Sequence, residues 1–193
     1  MFDNIAHRYD FLNHFFSLGI DRLWRKKAVR MLLSKDPKEV LDVATGTADF
    51  AIEAAKKAPH LKVVGVDISA GMLDIGRTKV TKAKQDGRVE LVLGDGEQLP
   101  FEDGRFDAFT VAFGVRNFEN LPAGLKEMNR TLRSGGQGYI LEFSKPRMFP
   151  MKQLFWLYFR YIMPTLGKWF SKDAAAYTYL PESVKAFPEG EDM

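Results

Sequence analysis

The residues best placed to do chemistry in this chain are carboxylates that follow short apolar runs. The first run passes into Leu41-Asp42-Val43-Ala44-Thr45-Gly46-Thr47-Ala48-Asp49. The second, Val63-Val64-Gly65-Val66-Asp67, ends in an acid 21 positions after Gly46. The third closes on Gly94-Asp95-Gly96. Gly46 allows close approach of the backbone to a ligand. Ionised Asp67 is acceptor-only, which matches the two hydroxyl donors of a ribose. Asp95 and Gly96 suit an adenine edge. A dinucleotide site would carry G-x-G-x-x-G at the first turn, and the third-glycine position is missing, so pyrophosphate binding is disfavoured. One glycine with acidic neighbours suits a nucleoside that carries positive charge. S-adenosylmethionine, with its sulfonium and ammonium groups, has that character, and Asp42 and Asp49 would set a negative field for it. Each acid also has a plainer reading: a helix cap for Asp67, a turn residue for Asp95, a cap or loop-ordering role for Asp42.

These residues need strands and helices to hold them. Glu39–Ala44, Lys62–Asp67, Val89–Gly94, Phe106–Ala112 and Gln137–Phe143 read as strands, each a short run rich in Val, Ile, Leu or Phe. Helical patterns lie between most of them, at about 48–58, 70–84 and 122–133. Ser69 is an expected N-cap, Pro122 suits a first helical turn, and Ser134-Gly135-Gly136 is expected to end that helix. Strands joined by helices imply an α/β fold, a mostly parallel twisted sheet with helices on both faces. Ahead of it, Ile20, Leu23, Trp24, Ala28, Met31 and Leu32 recur at helical spacing. The expected organisation is one domain over 1–193: a helical cover at 1–35, a cofactor-binding core at 36–146 and an aromatic-rich acceptor-side segment at 147–193. That last segment carries eight aromatics between Met148 and Phe170. Pro150, Lys152, Arg160 and Pro164 interrupt it, so it is not a membrane span.

Composition narrows the field. The chain has 193 residues, 46% hydrophobic and 27% charged, which suits one folded domain with a core. It has no cysteine, which excludes disulfides, thiolate metal sites and cysteine nucleophiles. Its formal net charge of +3 comes from scattered basic residues, read as solvated helix faces rather than a nucleic-acid patch. Met1 to Asp10 has no apolar leader, so a cytoplasmic location is expected. A weak attraction to anionic lipid surfaces stays open.

Several segments together resemble a known family. Leu41–Asp49, Val66-Asp67-Ile68-Ser69, Leu99-Pro100-Phe101 and Arg133-Ser134-Gly135-Gly136 resemble a class I methyltransferase. Three more specific segments narrow this: Tyr9-Asp10-Phe11-Leu12-Asn13 with Ser17-Leu18-Gly19 and Arg22-Leu23-Trp24-Arg25; Ala112-Phe113-Gly114-Val115-Arg116-Asn117-Phe118; and Leu141-Glu142-Phe143-Ser144-Lys145-Pro146. Together they resemble the ubiquinone/menaquinone C-methyltransferase family, from about residue 2 to about residue 188. The resemblance implies a Rossmann-like sheet, S-adenosylmethionine as methyl donor, no metal, and the reduced ring of a polyprenyl quinone precursor as acceptor. It carries cofactor contacts to Thr47, Asp67, Asp95 and Gly96, with Gly46 and Asp42 nearby. Ala48 stands where many relatives have glycine, Gly96 where alanine is usual, and Arg133-Ser134 where Lys-Pro is common. Relatives also continue past Met193 through a last helix and two strands, so the last two strands of the sheet are expected to be missing.

For such an acceptor the enzyme must position two reactants and stabilise a phenolate, whose parent phenol has a pKa near about 10. Arg116 is the expected cation, since a guanidinium stays charged and stabilises the phenolate without being the base itself. Asn117 is the expected partner for a ring hydroxyl or a water. The base is left open among His7, Tyr9, Asp10, Asp95 and water. A homodimer and peripheral contact with a membrane surface are further expectations. Two rival readings remain, a methyltransferase for another small phenolic or sterol acceptor and a non-catalytic binding protein on the same fold.

Overall fold

A computed structural model describes residues 19–142 together with residues 148–150, 153, 156, 157 and 161. His7, Tyr9 and Asp10, the end of the fifth expected strand at Phe143 and most of the aromatic segment lie outside the described residues. The chain divides into two compact units, residues 1–141 and 142–193. The first unit holds every element that follows.

Helix α1, Ile20–Leu33, precedes strand β1, Glu39–Val43. Then come α2, Asp49–Lys57; β2, Lys62–Asp67; α3, Ala70–Lys82; and β3, Val89–Leu93. Strand β4, Phe106–Ala112, leads into a 3₁₀ turn at Val115–Asn117, helix α4, Leu121–Thr131, and β5, Leu132–Leu141. Among the described residues the sheet has five strands in the order β3-β2-β1-β4-β5, and every strand pair in it is parallel. The chain steps outward from β1 to β3, then returns to lay β4 on the other side of β1. Right-handed crossovers then place α2 and α3 on one face and α4 on the other. This is the doubly wound, Rossmann-like arrangement. Its reversal point between β1 and β4 opens a crevice at the carboxyl ends of the strands.

Burial follows from that layering. The central strand β1 is buried at Val40, Leu41, Asp42 and Val43, and β2 at Val63 through Val66. Strands covered on both faces lose the apolar–polar alternation. Edge strand β3 is mostly half-exposed or exposed. Phe50, Ala51, Ile52, Ala54 and Ala55 of α2 pack with Val40, Leu61, Val63 and Val80 in the core.

Two elements depart from the sequence expectation. Helix α4 stops at Thr131, and Ser134-Gly135-Gly136 lies inside β5 rather than ending the helix. Phe106 pairs with Leu132 and Ala108 with Gln137, so 133–136 bulge opposite Asp107. Asp107 accounts for this. Its Oδ2 accepts the backbone N–H groups of Lys38 and Glu39 at 2.8 and 2.9 Å. Its Oδ1 accepts from Arg133 Nη1 at 2.6 Å. The apolar stripe of α1 also splits. Val29 and Leu32 are buried, whereas Ile20, Leu23, Trp24 and Met31 are exposed. The face turned inward carries Val29 and Leu32 together with buried Asp21, which pairs with Arg25 at 3.4 Å, and Arg25 reaches Asp49 of α2 at 3.0 Å.

Candidate functional site

A cleft of about 250 Å³ lies at the carboxyl end of the sheet. It is built from four strand ends: Ala44 and Gly46 after β1, Val66-Asp67-Ile68 at the end of β2, Gly94 to Glu97 after β3, and Ala112-Phe113-Gly114 after β4. Asn117, Phe118 and Glu119 close it from the 3₁₀ turn onward, and Met72 reaches it from α3.

The glycine turn is held by its neighbours. Thr45 N–H donates to Val66 C=O at 3.0 Å, and Ala48 N–H returns to Thr45 C=O at 2.9 Å. Gly46 N–H donates to Asp67 Oδ2 at 2.7 Å, and Ser69 N–H donates to Asp67 Oδ1 at 2.9 Å. Asp67 therefore fixes the loop after its own strand and the loop after β1 together. Each oxygen of a carboxylate accepts more than one bond, so this ordering role is compatible with ribose hydroxyl donors. Gly46 has φ +56°, and a Cβ there would meet no atom within 4 Å. The space it leaves belongs to the cleft it lines.

Of the five described non-glycine residues with left-handed backbone, three lie at this place, and the other two, Asp36 and Lys84, lie away from it. Ala44 (φ 52°), Ala48 (φ 65°) and Phe113 (φ 60°) adopt the left-handed conformation that costs a side-chain-bearing residue about 1–2 kcal/mol. Ala44 and Phe113 line the cleft, and Ala48 lies between Gly46 and the first turn of α2. Backbone strain of this kind is retained chiefly at functional sites.

The remaining predicted residues separate into two groups. Asp95 and Gly96 line the cleft, with Asp95 Oδ1 accepting Glu97 N–H at 2.9 Å, and Asn117 lines it opposite. Asp42, Thr47 and Arg116 do not line it. Asp42 is 1% exposed and accepts the hydroxyls of Thr45 and Thr110, each at 2.6 Å. Burial pushes its carboxyl up to about 6, against the pull of those hydroxyls and the Arg25 charge. Its structure is that of a buried clamp between β1, β4 and the glycine turn. Thr47 is also buried, and its hydroxyl accepts from Lys79 Nζ at 3.0 Å. Arg116 is half-buried in the 3₁₀ turn, and its Nη1 donates to Phe113 C=O at 2.6 Å. It thus holds a residue of the cleft wall from behind.

Asp49 does not present the bare negative field read from the sequence. It pairs with both Arg25 and Lys79. Burial raises its carboxyl, and the two cations outweigh burial and hold it below the usual carboxylate range. The chain Arg25–Asp49–Lys79–Thr47 joins α1, α2, α3 and the glycine loop. Sequence reasoning missed Lys79, because nothing in its spacing marks it as facing a loop 32 positions earlier. Ile68 was passed over as well. It is 69% exposed beside Asp67, an apolar surface that a flat ligand ring would cover. Its position directly after the strand-end acid was the available signal.

Similarity to known proteins agrees with this architecture. A family model described as the ubiE/COQ5 methyltransferase family matches residues 1–193. The chain is 53% identical to a demethylmenaquinone methyltransferase of Bacteroides fragilis over 193 residues, which is all of this chain and 79% of that one. It is 46% identical to a ubiquinone/menaquinone biosynthesis C-methyltransferase UbiE of Geotalea uraniireducens, across 100% of this chain and 82% of the relative. In fold it is similar to a putative S-adenosyl-L-methionine-dependent methyltransferase of Methanococcus maripaludis. There the TM-score is 0.66 at 18% identity, with 95% of this chain and 83% of that chain covered. With its five parallel strands, its crevice at the β1/β4 reversal and a full-length family match, the chain belongs to the ubiE/COQ5 methyltransferase family.

Proposed function

We propose that this chain transfers the methyl group of S-adenosylmethionine to a ring carbon of a reduced polyprenyl quinone precursor. The observation that carries the reading is the Asp67–Gly46 junction beside an open cleft, within a chain that resembles named quinone C-methyltransferases along its whole length. Bound in that cleft, the donor would supply an already activated methyl on a positively charged sulfur: the S–CH3 bond breaks as the ring C–CH3 bond forms, S-adenosylhomocysteine leaves, and the ring carbon releases its proton to water. The chain's own residues then have two tasks, to place the reactants and to make the ring carbon nucleophilic. Placement supplies about 7–11 kcal/mol in favourable systems.

Of the residues lining the cleft, Asp67 would accept the ribose hydroxyls, Asp95 and the backbone at Gly96 would meet the adenine edge, and Ile68 would cover a ring face. Thr47 and Asp42 act from behind this surface, Thr47 through Lys79 and Asp42 through Thr45, by fixing the loop. Asn117 faces the acceptor from the other wall. Arg116 does not line the cleft, so this role requires its guanidinium to turn from Phe113 C=O toward the acceptor; there it would stabilise the phenolate that pushes electron density onto the ring carbon, staying protonated itself. Among the described residues no cluster of His, Asp or Glu is arranged to hold a metal, and no step of this scheme uses one.

The acceptor's apolar tail belongs in a bilayer, and α1 offers a surface for reaching it. At about 3.6 residues per turn, exposed Ile20, Leu23, Trp24 and Met31 fall on one stripe, with Lys27 inside it and Lys26 and Arg30 along one edge. That pattern suits peripheral contact with an anionic lipid surface. No described helix is long and apolar enough to cross a membrane. Sedimentation with phosphatidylglycerol vesicles, and its loss in Leu23→Glu, tests this contact.

The acceptor itself is tested in cells that lack the protein. Extracted quinones should shift to a precursor short of one ring methyl. A normal quinone profile would remove this acceptor and leave the phenolic or sterol alternative.

A further inference from the structure

Phe118 occupies a seat made by two glycines. A Cβ built on Gly96 would stand 2.7 Å from Cζ of the Phe118 ring, with Val43 Cγ1 at 3.1 Å on its other side. A Cβ built on Gly124, in the first turns of α4, would collide with Cδ2 and Cε2 of the same ring. The ring thus lies where two side chains would otherwise be, one at the end of β3 and one on α4. It also lines the cleft, directly after Arg116 and Asn117. The resemblance implied alanine at position 96; with glycine there the ring sits closer to β3 than a Cβ would allow without a shift.

The turn that carries Arg116 and Asn117 is anchored inward by Val115, which is 1% exposed, and by the Arg116 bond to Phe113 C=O, while Phe118 holds its outer end. It is one 3₁₀ turn of three residues, closed by Asn117 N–H to Gly114 C=O at 3.0 Å and Phe118 N–H to Val115 C=O at 3.3 Å. Such short turns have weak hydrogen-bond geometry and need outside support. Beyond it the backbone is extended at Phe118, and Glu97 Oε1 accepts Asn120 N–H at 3.0 Å. Two contacts therefore bind 118–120 to 96–97, the ring in its seat and this hydrogen bond.

We propose that Phe118 is a positioning residue, whose ring locked between Gly96 and Gly124 sets the Val115–Asn117 turn against the cofactor side of the cleft. This rests on the reading above that Asn117, which lines the cleft, faces the acceptor, with Arg116 beside it on the same turn. A small displacement of such groups is costly, because reacting atoms must meet within a few tenths of an ångström of the productive geometry.

The test uses the full chain and the variants Phe118→Leu, Gly96→Ala and the double variant. Phe118→Leu keeps apolar volume and removes the flat ring. Its turnover should fall about tenfold or more, with S-adenosylmethionine affinity by calorimetry changed less than about threefold. Gly96→Ala should lower turnover by pushing the ring. The double variant should be no slower than Phe118→Leu, since the added methyl then has no ring to push. In the protein without ligands, amide exchange at Asn117 and Phe118 should accelerate in Phe118→Leu while β4 amides keep their protection. Unchanged exchange at Asn117 and Phe118, unchanged turnover in folded Phe118→Leu, or losses that multiply in the double variant would each overturn the proposal. If the parent chain methylates no quinol, the acceptor reading fails, and the exchange result still decides whether the ring holds the turn.

Discussion

The carboxylate of Asp67 lies 2.7 Å from the backbone nitrogen of Gly46, tying the end of β2 to the glycine turn that follows β1. One side chain at the cleft therefore serves both fold and ligand, and the two roles separate on substitution. Asp67→Ala leaves the N–H groups of Gly46 and Ser69 without this acceptor, a loss of about 1–3 kcal/mol. Affinity for S-adenosylmethionine should fall at least about tenfold beyond that, equal to a further 1.4 kcal/mol or so. Urea denaturation and calorimetric titration measure the two losses. Undiminished affinity in a folded variant would remove Asp67 from the ligand site.

Asp42 sets a pH dependence. Burial pushes its carboxyl from 3.8 up to about 6, with the hydroxyls of Thr110 and Thr45 resisting. Between those two values the folded protein keeps a proton that the unfolded chain has released. Stability from this group is full below 3.8 and is lost as pH rises through about 6. The gap corresponds to roughly 3 kcal/mol. Asp42→Asn should remove the slope, so its stability relative to the parent should be higher at about pH 7 than at about pH 4.5. A constant difference between the two proteins at both pH values would contradict the assignment.

Asp49 has the opposite sign. Arg25 and Lys79 outweigh its burial and hold its carboxyl low, so its contribution is present above the unfolded value of 3.8 and is lost as pH falls through the lowered one. At neutral pH, Asp49→Asn leaves two cations facing each other and should cost about 1–3 kcal/mol. Lys79→Met added to it should recover part of that cost, a coupling read from a double-mutant cycle in urea. Simple additivity would show that the pair does not act as one unit.

Arg116 has a structural contact, the 2.6 Å bond to Phe113 C=O, and a proposed chemical one. Arg116→Ala should cut turnover by about a hundredfold or more, while cofactor affinity changes by less than about threefold. Steady-state kinetics with calorimetry separates these. Equal loss of both would make Arg116 a support for the cleft wall alone.

Most of the sheet was readable from the sequence because buried parallel strands are short apolar runs, and β1 to β4 fall within one residue of their expected ends. The junction of α4 and β5 was not. Ser134-Gly135-Gly136 looks like a helix stop, and only the pairing of Asp107 with Lys38, Glu39 and Arg133 turns it into a bulge. The apolar pattern of α1 also misled, because the inward face holds Val29 and Leu32 beside a buried Asp21 paired with Arg25, and an acid at that position does not read as buried. At the site, residues at strand ends were legible as cleft residues, since topology alone puts them there. Thr47 and Asp42 carry the same signal in sequence and lie behind the surface. What decides their orientation is Lys79 for one and Thr110 for the other, contacts 32 and 68 positions apart.

The most direct measurement supplies the purified chain with methyl-labelled S-adenosylmethionine and chemically reduced demethylmenaquinone, and follows the label by mass spectrometry. The account predicts one labelled methyl on a ring carbon of the quinol, none with the oxidised quinone, and none in Asp67→Ala. Tight cofactor binding with no label entering any reduced naphthoquinol or benzoquinol would contradict it.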